Sequence, residues 1–111
     1  MDIVGKIVRV RMNRTFAEQR LWVFVGKVVE FTENWVVMEG KGLIVLKRAT
    51  LTVEIDETSR TIVIPRQSIF VIRVLPDTFD MDNILAVNVG HKLCLKVPGG
   101  PDATIADMSE V

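Results

Sequence analysis

The stretch VFVGKVVEFTENWVVMEG, residues 23–40, constrains this chain more than any other. A run rich in β-branched residues passes through Gly26, continues to Phe31, breaks at Thr32-Glu33-Asn34 and resumes at Trp35. That pattern predicts a strongly bent strand, a tight turn and a second strand, with Gly26 where a bend excludes a side chain. Elsewhere too, β-branched residues dominate and helical periodicity is nearly absent, so the chain reads as all-β.

The first strand is expected over residues 3–12, with Val4, Val8, Val10 and Met12 on one face and Arg9 and Arg11 on the other. Residues 13–19 form a connecting loop in which Thr15 and Glu18 fit a capping box for a single helical turn. Further strands are expected over 20–31, 35–46, 51–55, 61–65 and 69–74, with Gly40-Lys41-Gly42 as a bulge or bend in the third. Pro76-Asp77 ends this unit. Beyond it, residues 84–97 read as a hairpin whose Gly90 supplies the positive φ of a type II′ turn. The expected division is therefore a five-stranded antiparallel barrel over 1–76 and an extension over 77–111, made of that hairpin and a loose acidic tail over 98–111.

Several strands carry apolar residues on both faces. Every residue from 21 to 25 and from 35 to 38 is apolar, and within 69–74 only Arg73 is not. A half-solvated antiparallel strand should alternate, and a small barrel has one interior. The outer apolar residues need another cover, for which a second copy of the chain is the simplest candidate, so a homo-oligomer is expected.

Composition narrows the function classes. The chain has 111 residues, 49% of them hydrophobic and 25% charged, which fits one folded domain with a tail. No apolar run approaches the roughly 18 residues of a spanning helix. Asp2 and Lys6 argue against a signal segment, so no membrane association and a cytoplasmic setting are expected. Cys94 and His91 are each single, leaving no internal disulfide and no cysteine-built zinc site. Asp77, Asp80 and Asp82 start like a calcium loop, but no glycine at the sixth place and no closing glutamate follow. No acid/base pair, nucleophile elbow or phosphate loop is recognisable, so neither an enzyme nor a cofactor is expected. Charge is uneven: residues 1–76 hold 12 Lys and Arg against 8 Asp and Glu, and residues 77–111 hold 2 against 6. A mildly basic body with an acidic tail suits a weak polyanion surface with a competing tail, or simply solubility of both halves.

Residues 20–75 resemble the two-part signature of the Sm-like (Lsm/Hfq) family. Gly26 and Phe31 fall five apart as its first motif asks, followed by the apolar strand Val36-Val37-Met38. Ile64, Arg66 and Ile69 match the second motif in its bacterial Hfq spacing. The resemblance implies a strongly bent five-stranded barrel of Sm-like or SH3-like form. It also implies a ring of five to seven subunits, in which strand 69–74 pairs with strand 61–64 of a neighbour. RNA or a nucleotide would then bind in the ring lumen near Thr32, Glu33, Asn34, Arg66 and Gln67. Three departures bear on that site. Thr32 replaces the family's loop aspartate, Asn34 replaces its stacking aromatic, and Gln67 stands where Hfq has histidine. Trp35 comes one position late and is expected to face the core.

Arg66 and Gln67 would contact phosphate or a base edge, with Asn34 across from them. The alternative is an ordinary polar turn. Arg9, Arg11 and Arg14 are candidate phosphate contacts, or a solvated or interface-paired face. Trp22 and Trp35 are expected to fill the core rather than stack bases, and His91 to be an exposed turn residue. Two functions follow from the resemblance: a ring with weak RNA or nucleotide binding, or a structural oligomer that has kept the fold without the pocket.

Overall fold

The computed structural model describes residues 2–14 and 19–110; the capping box at Thr15 and Glu18 lies outside them. The described residues form nine strands: β1 (Ile7–Met12), β2 (Leu21–Phe31), β3 (Trp35–Lys47), β4 (Leu51–Ile55), β5 (Arg60–Pro65), β6 (Ile69–Val74), β7 (Ala86–Val89), β8 (Lys92–Leu95) and β9 (Ala103–Asp107). Among them the only helical pieces are 3₁₀ turns at Arg66–Ser68 and Met108–Glu110. All strand pairs are antiparallel. The first six strands make one sheet in the order β4-β3-β2-β1-β6, with β5 also on β3, and the last three make a second sheet.

β2 and β3 organise the larger sheet. They are 11 and 13 residues long and pair residues 21–31 with 36–45, and β3 then divides its outer edge, giving residues 35–40 to β5 and 43–47 to β4. The bend lies where Gly26 faces Gly40. A Cβ on either would run into backbone of the opposite strand, the carbonyl of Glu39 or of Val25, so only glycine allows this approach. Of the bulge or bend expected at residues 40–42, the bend falls at Gly40 and no bulge forms, because Gly40, Lys41 and Gly42 stay in register with β2. The irregularity falls in β2 instead, between Val28 and Glu30. The sheet curls but does not close. Among the described residues β5 bonds only to β3 and β6 only to β1.

The two sides of the curled sheet enclose separate cores. Val8, Val10, Val28, Val36, Met38 and Ile64 fill the concave side. Leu21, Val23, Val25, Leu43, Val45 and Leu51 on the other face pack in one core with Leu93, Leu95, Ala103, Ile105 and Ala106 of the second sheet and with Val97 beyond β8. Each such side chain contributes about 1.5–3 kcal/mol by leaving water. This corrects two expectations. The cover for Leu21, Val23 and Val25 is the chain's own second sheet rather than another copy. Nor is the tail loose: β9 pairs with β8, and Ala103, Ile105 and Ala106 are fully buried.

The first strand also begins later than expected, at Ile7. Gly5 has φ of 84° and turns the chain, its N–H donating to the Val28 carbonyl at 2.8 Å, and Val4 stays exposed. The hairpin forms as read, with Gly90 at φ of 62° between the paired Val89 and Lys92. No helix among the described residues is long and apolar enough to cross a membrane.

Candidate nucleic-acid interface

Within the turn from Thr32 to Trp35, the closing bonds come from threonine. The Thr32 N–H donates to the Trp35 carbonyl at 2.9 Å, and its Oγ1 accepts from the N–H groups of Trp35 (3.0 Å) and Asn34 (3.3 Å). A short hydroxyl side chain can close its own turn by accepting from backbone N–H groups, as Asp and Asn side chains do. The arrangement leaves the side chains of Glu33 and Asn34 exposed at the tip.

The second loop is tied to this turn. Pro65 is extended and starts the 3₁₀ turn Arg66–Ser68. The Arg66 N–H donates to the Asn34 carbonyl at 2.9 Å, and its Nη1 donates to the Thr32 carbonyl at 2.8 Å. The guanidinium carbon lies 4.4 Å from the centre of the Phe31 ring, a cation–π contact. The five loop residues singled out from the sequence are thereby brought together. Thr32 lies beneath as the brace, while Glu33, Asn34, Arg66 and Gln67 line a hollow of about 290 Å³ with Trp35 and Pro65.

Trp35 is the site residue that the sequence reading placed wrongly. It is 47% exposed and borders the hollow instead of filling the core. Alternation does hold along β3, since Val36 and Met38 are fully buried. Counting outward from them puts Trp35 on the outer face. The error came from counting from Asn34, which belongs to the turn. Trp22 is likewise 39% exposed, stacked on Phe24 with ring centres 5.8 Å apart and planes 13° apart. It borders two clefts, one with Gly42, Ile44 and Ile62, the other with Met12, Gln67 and Ser68.

The N-terminal arginines stand apart from the hollow. Arg9 and Arg11 are buried, at 5% and 9% exposure, so within one chain they do not form a solvent-facing phosphate stripe. At Arg9 the cover is the second sheet. Nη1 of Arg9 donates to the Thr104 carbonyl of β9. Arg73, paired with Arg9 across β1 and β6, donates to the carbonyls of Asp102 (2.9 Å) and Pro101 (3.0 Å). Burial, and then the charges of Arg11 and Arg73, lower the Arg9 pKa to about 10. Arg11 lies over the Phe70 ring at 5.3 Å, and with Arg14 it lines a separate recess. His91 is exposed at its turn. The Asp80 carboxylate is taken up locally by Asn83 Nδ2 (2.7 Å) and the Asp82 N–H (2.9 Å), bonds that hold its pKa below the usual carboxylate value.

The hollow thus offers an aromatic face, a guanidinium, two amides and a carboxylate on a braced turn. That set can stack a planar ring, hydrogen-bond its edge and attract an attached phosphate. No protein-family model, no curated protein and no solved structure matches this chain.

Proposed function

We propose that this chain is a self-associating subunit of Sm-like form that binds single-stranded RNA or a nucleotide at the hollow between residues 32–35 and 65–67. The observation that carries the reading is Trp35, exposed beside Arg66, Asn34 and Gln67 on one hollow. Base-on-aromatic stacking contributes about 1–3 kcal/mol per base and tolerates any sequence. Arg66 adds charge-assisted bonds to phosphate. Assembly rests on the two strand edges of β5 and β6 and on the exposed apolar residues they carry, Val63 (55%), Phe70 (60%) and Val71 (39%). In this reading β6 of one chain pairs with β5 of the next, so that the curled sheets join edge to edge around the ring. Contacts of that head-to-tail kind close into rings. Five to seven subunits are taken from the family resemblance, as is the placement of the hollow toward the lumen.

Two experiments test the two halves of the proposal. Fluorescence anisotropy with labelled U-rich and A-rich hexaribonucleotides should show binding that weakens steeply with salt. Arg66→Gln should lower the slope of log K against log salt by about 1. No binding at low salt would overturn the ligand half. Light scattering at micromolar concentration should give a mass several times the 12.5 kDa of one chain, and a 12.5 kDa species would overturn the assembly half.

A second reading, a structural oligomer without the pocket, is favoured by one feature. The Arg66 guanidinium is already engaged with the Thr32 carbonyl and the Phe31 ring. If Arg66 only braces the loop, its removal lowers stability, and the parent binds no oligonucleotide.

A further inference from the structure

The side chains around Trp35 go beyond generic stacking. Glu33 occupies the tip of the braced turn, is exposed and lines the hollow. Among the described residues neither its carboxylate nor the side-chain amides of Asn34 and Gln67 are engaged by a hydrogen bond or ion pair. The hollow, at about 290 Å³, lies just under the roughly 300–1,000 Å³ of ligand sites, which suits a single base and nothing larger. From this set we infer that the site selects guanine, with Glu33 as the residue that reads it. This rests on the reading of the hollow as a nucleotide site.

The inference follows from donor and acceptor patterns. An ionised carboxylate only accepts, and its two oxygens match two adjacent N–H groups. Guanine alone among the four bases presents such a pair on its Watson–Crick edge, N1–H beside the 2-amino group. Uracil sets two carbonyl oxygens around a single N–H, which brings lone pairs against the carboxylate. Adenine and cytosine each give one amino donor next to a bare ring nitrogen, so one carboxylate oxygen gains a bond and the other meets an acceptor. With Glu33 on the edge of guanine, O6 is left for a donor, which the amide of Asn34 or Gln67 or the outward N–H groups of Arg66 supply. The base plane rests on Trp35, the five-residue geometry being fixed beforehand by Thr32. A charge-assisted bidentate pair of this kind discriminates by about tenfold or more against a base that cannot form it.

Equilibrium dialysis of the full chain against GMP, IMP, AMP, CMP and UMP at low salt tests this. GMP should bind about tenfold more tightly than UMP, AMP or CMP. IMP, which keeps N1–H but lacks the 2-amino group, should fall between. Glu33→Gln should flatten the series by weakening GMP while leaving UMP as tight as before or tighter. Equal binding of all five nucleotides, a preference for UMP or AMP, or a GMP preference that survives Glu33→Gln would overturn the guanine assignment and leave the hollow standing as a nucleotide site. Binding of none of the five would overturn the nucleotide site itself, and this assignment with it.

Discussion

Arg9 places a guanidinium at 5% exposure with two further arginines as neighbours. Its folded pKa of about 10 lies below the ordinary arginine value, so the unfolded chain holds the proton more tightly. The charge therefore opposes folding at neutral pH, and that opposition eases only as pH rises through about 10 and beyond. Its bond to the Thr104 carbonyl offsets part of this, at about 1 kcal/mol for a typical hydrogen bond. Methionine keeps the stem packing and removes the charge, and such replacements of buried ions are often neutral or stabilising. Arg9→Met is expected to raise stability by about 1 kcal/mol in urea titration. A loss of about 3 kcal/mol would mean that the tie to β9 outweighs the buried charge. The alternation that put Arg9 and Arg11 on one face was legible in the sequence. The burial was not, because it comes from a sheet some 95 residues further along the chain.

At the scale of elements, the glycines of the bend separate cleanly. A methyl group at Gly26 or Gly40 meets backbone, which cannot move aside, whereas at Gly42 it meets ring atoms of Trp22 and Phe24 at 3.3 and 3.4 Å. Gly26→Ala and Gly40→Ala should each cost about 2–3 kcal/mol, and Gly42→Ala under about 1, measured by chemical denaturation. Equal costs at all three would remove the close crossing as the cause of the bend. β9 allows a second check. Ile105 is fully buried between the sheets, so Ile105→Ala should cost about 2–5 kcal/mol, where a loose tail would lose almost nothing. These elements differ in how readable they were. The turn at 32–34, strands β4 and β6 and the hairpin at Gly90 each carry a local signal: a polar break, a β-branched run, a glycine between alternating strands. Residues 103–107 carry none, since alanine and aspartate are poor strand formers. β9 is a strand because β8 offers it an edge and the core accepts its small side chains.

Across the whole molecule, the two-faced strands were read correctly as a surplus of apolar surface, but the cover was assigned too simply. One face of β2 and β3 is buried by the chain's own second sheet, and the apolar residues that stay exposed include Val63, Phe70 and Val71 on β5 and β6, along with Trp22, Val29, Trp35, Leu85 and Val89 elsewhere. The case for self-association therefore rests on the β5 and β6 edges, not on residues 21–25. The candidate site was more legible than its chemistry. Residues 32–34 and 66–67 meet as expected, because the turn and the 3₁₀ turn join at adjacent ends of paired strands, Trp35 opposite Pro65. The stacking face was missed through a one-residue count. The two tryptophans now give the most direct test of the central claim. Both are partly exposed and equally large, yet only Trp35 borders the hollow with Arg66. By anisotropy with a labelled hexaribonucleotide at low salt, Trp35→Ala should weaken binding about tenfold or more, the loss of one stacked base. Trp22→Ala should leave affinity unchanged. Equal affinities for Trp35→Ala and the parent, or a loss confined to Trp22→Ala, would contradict the site.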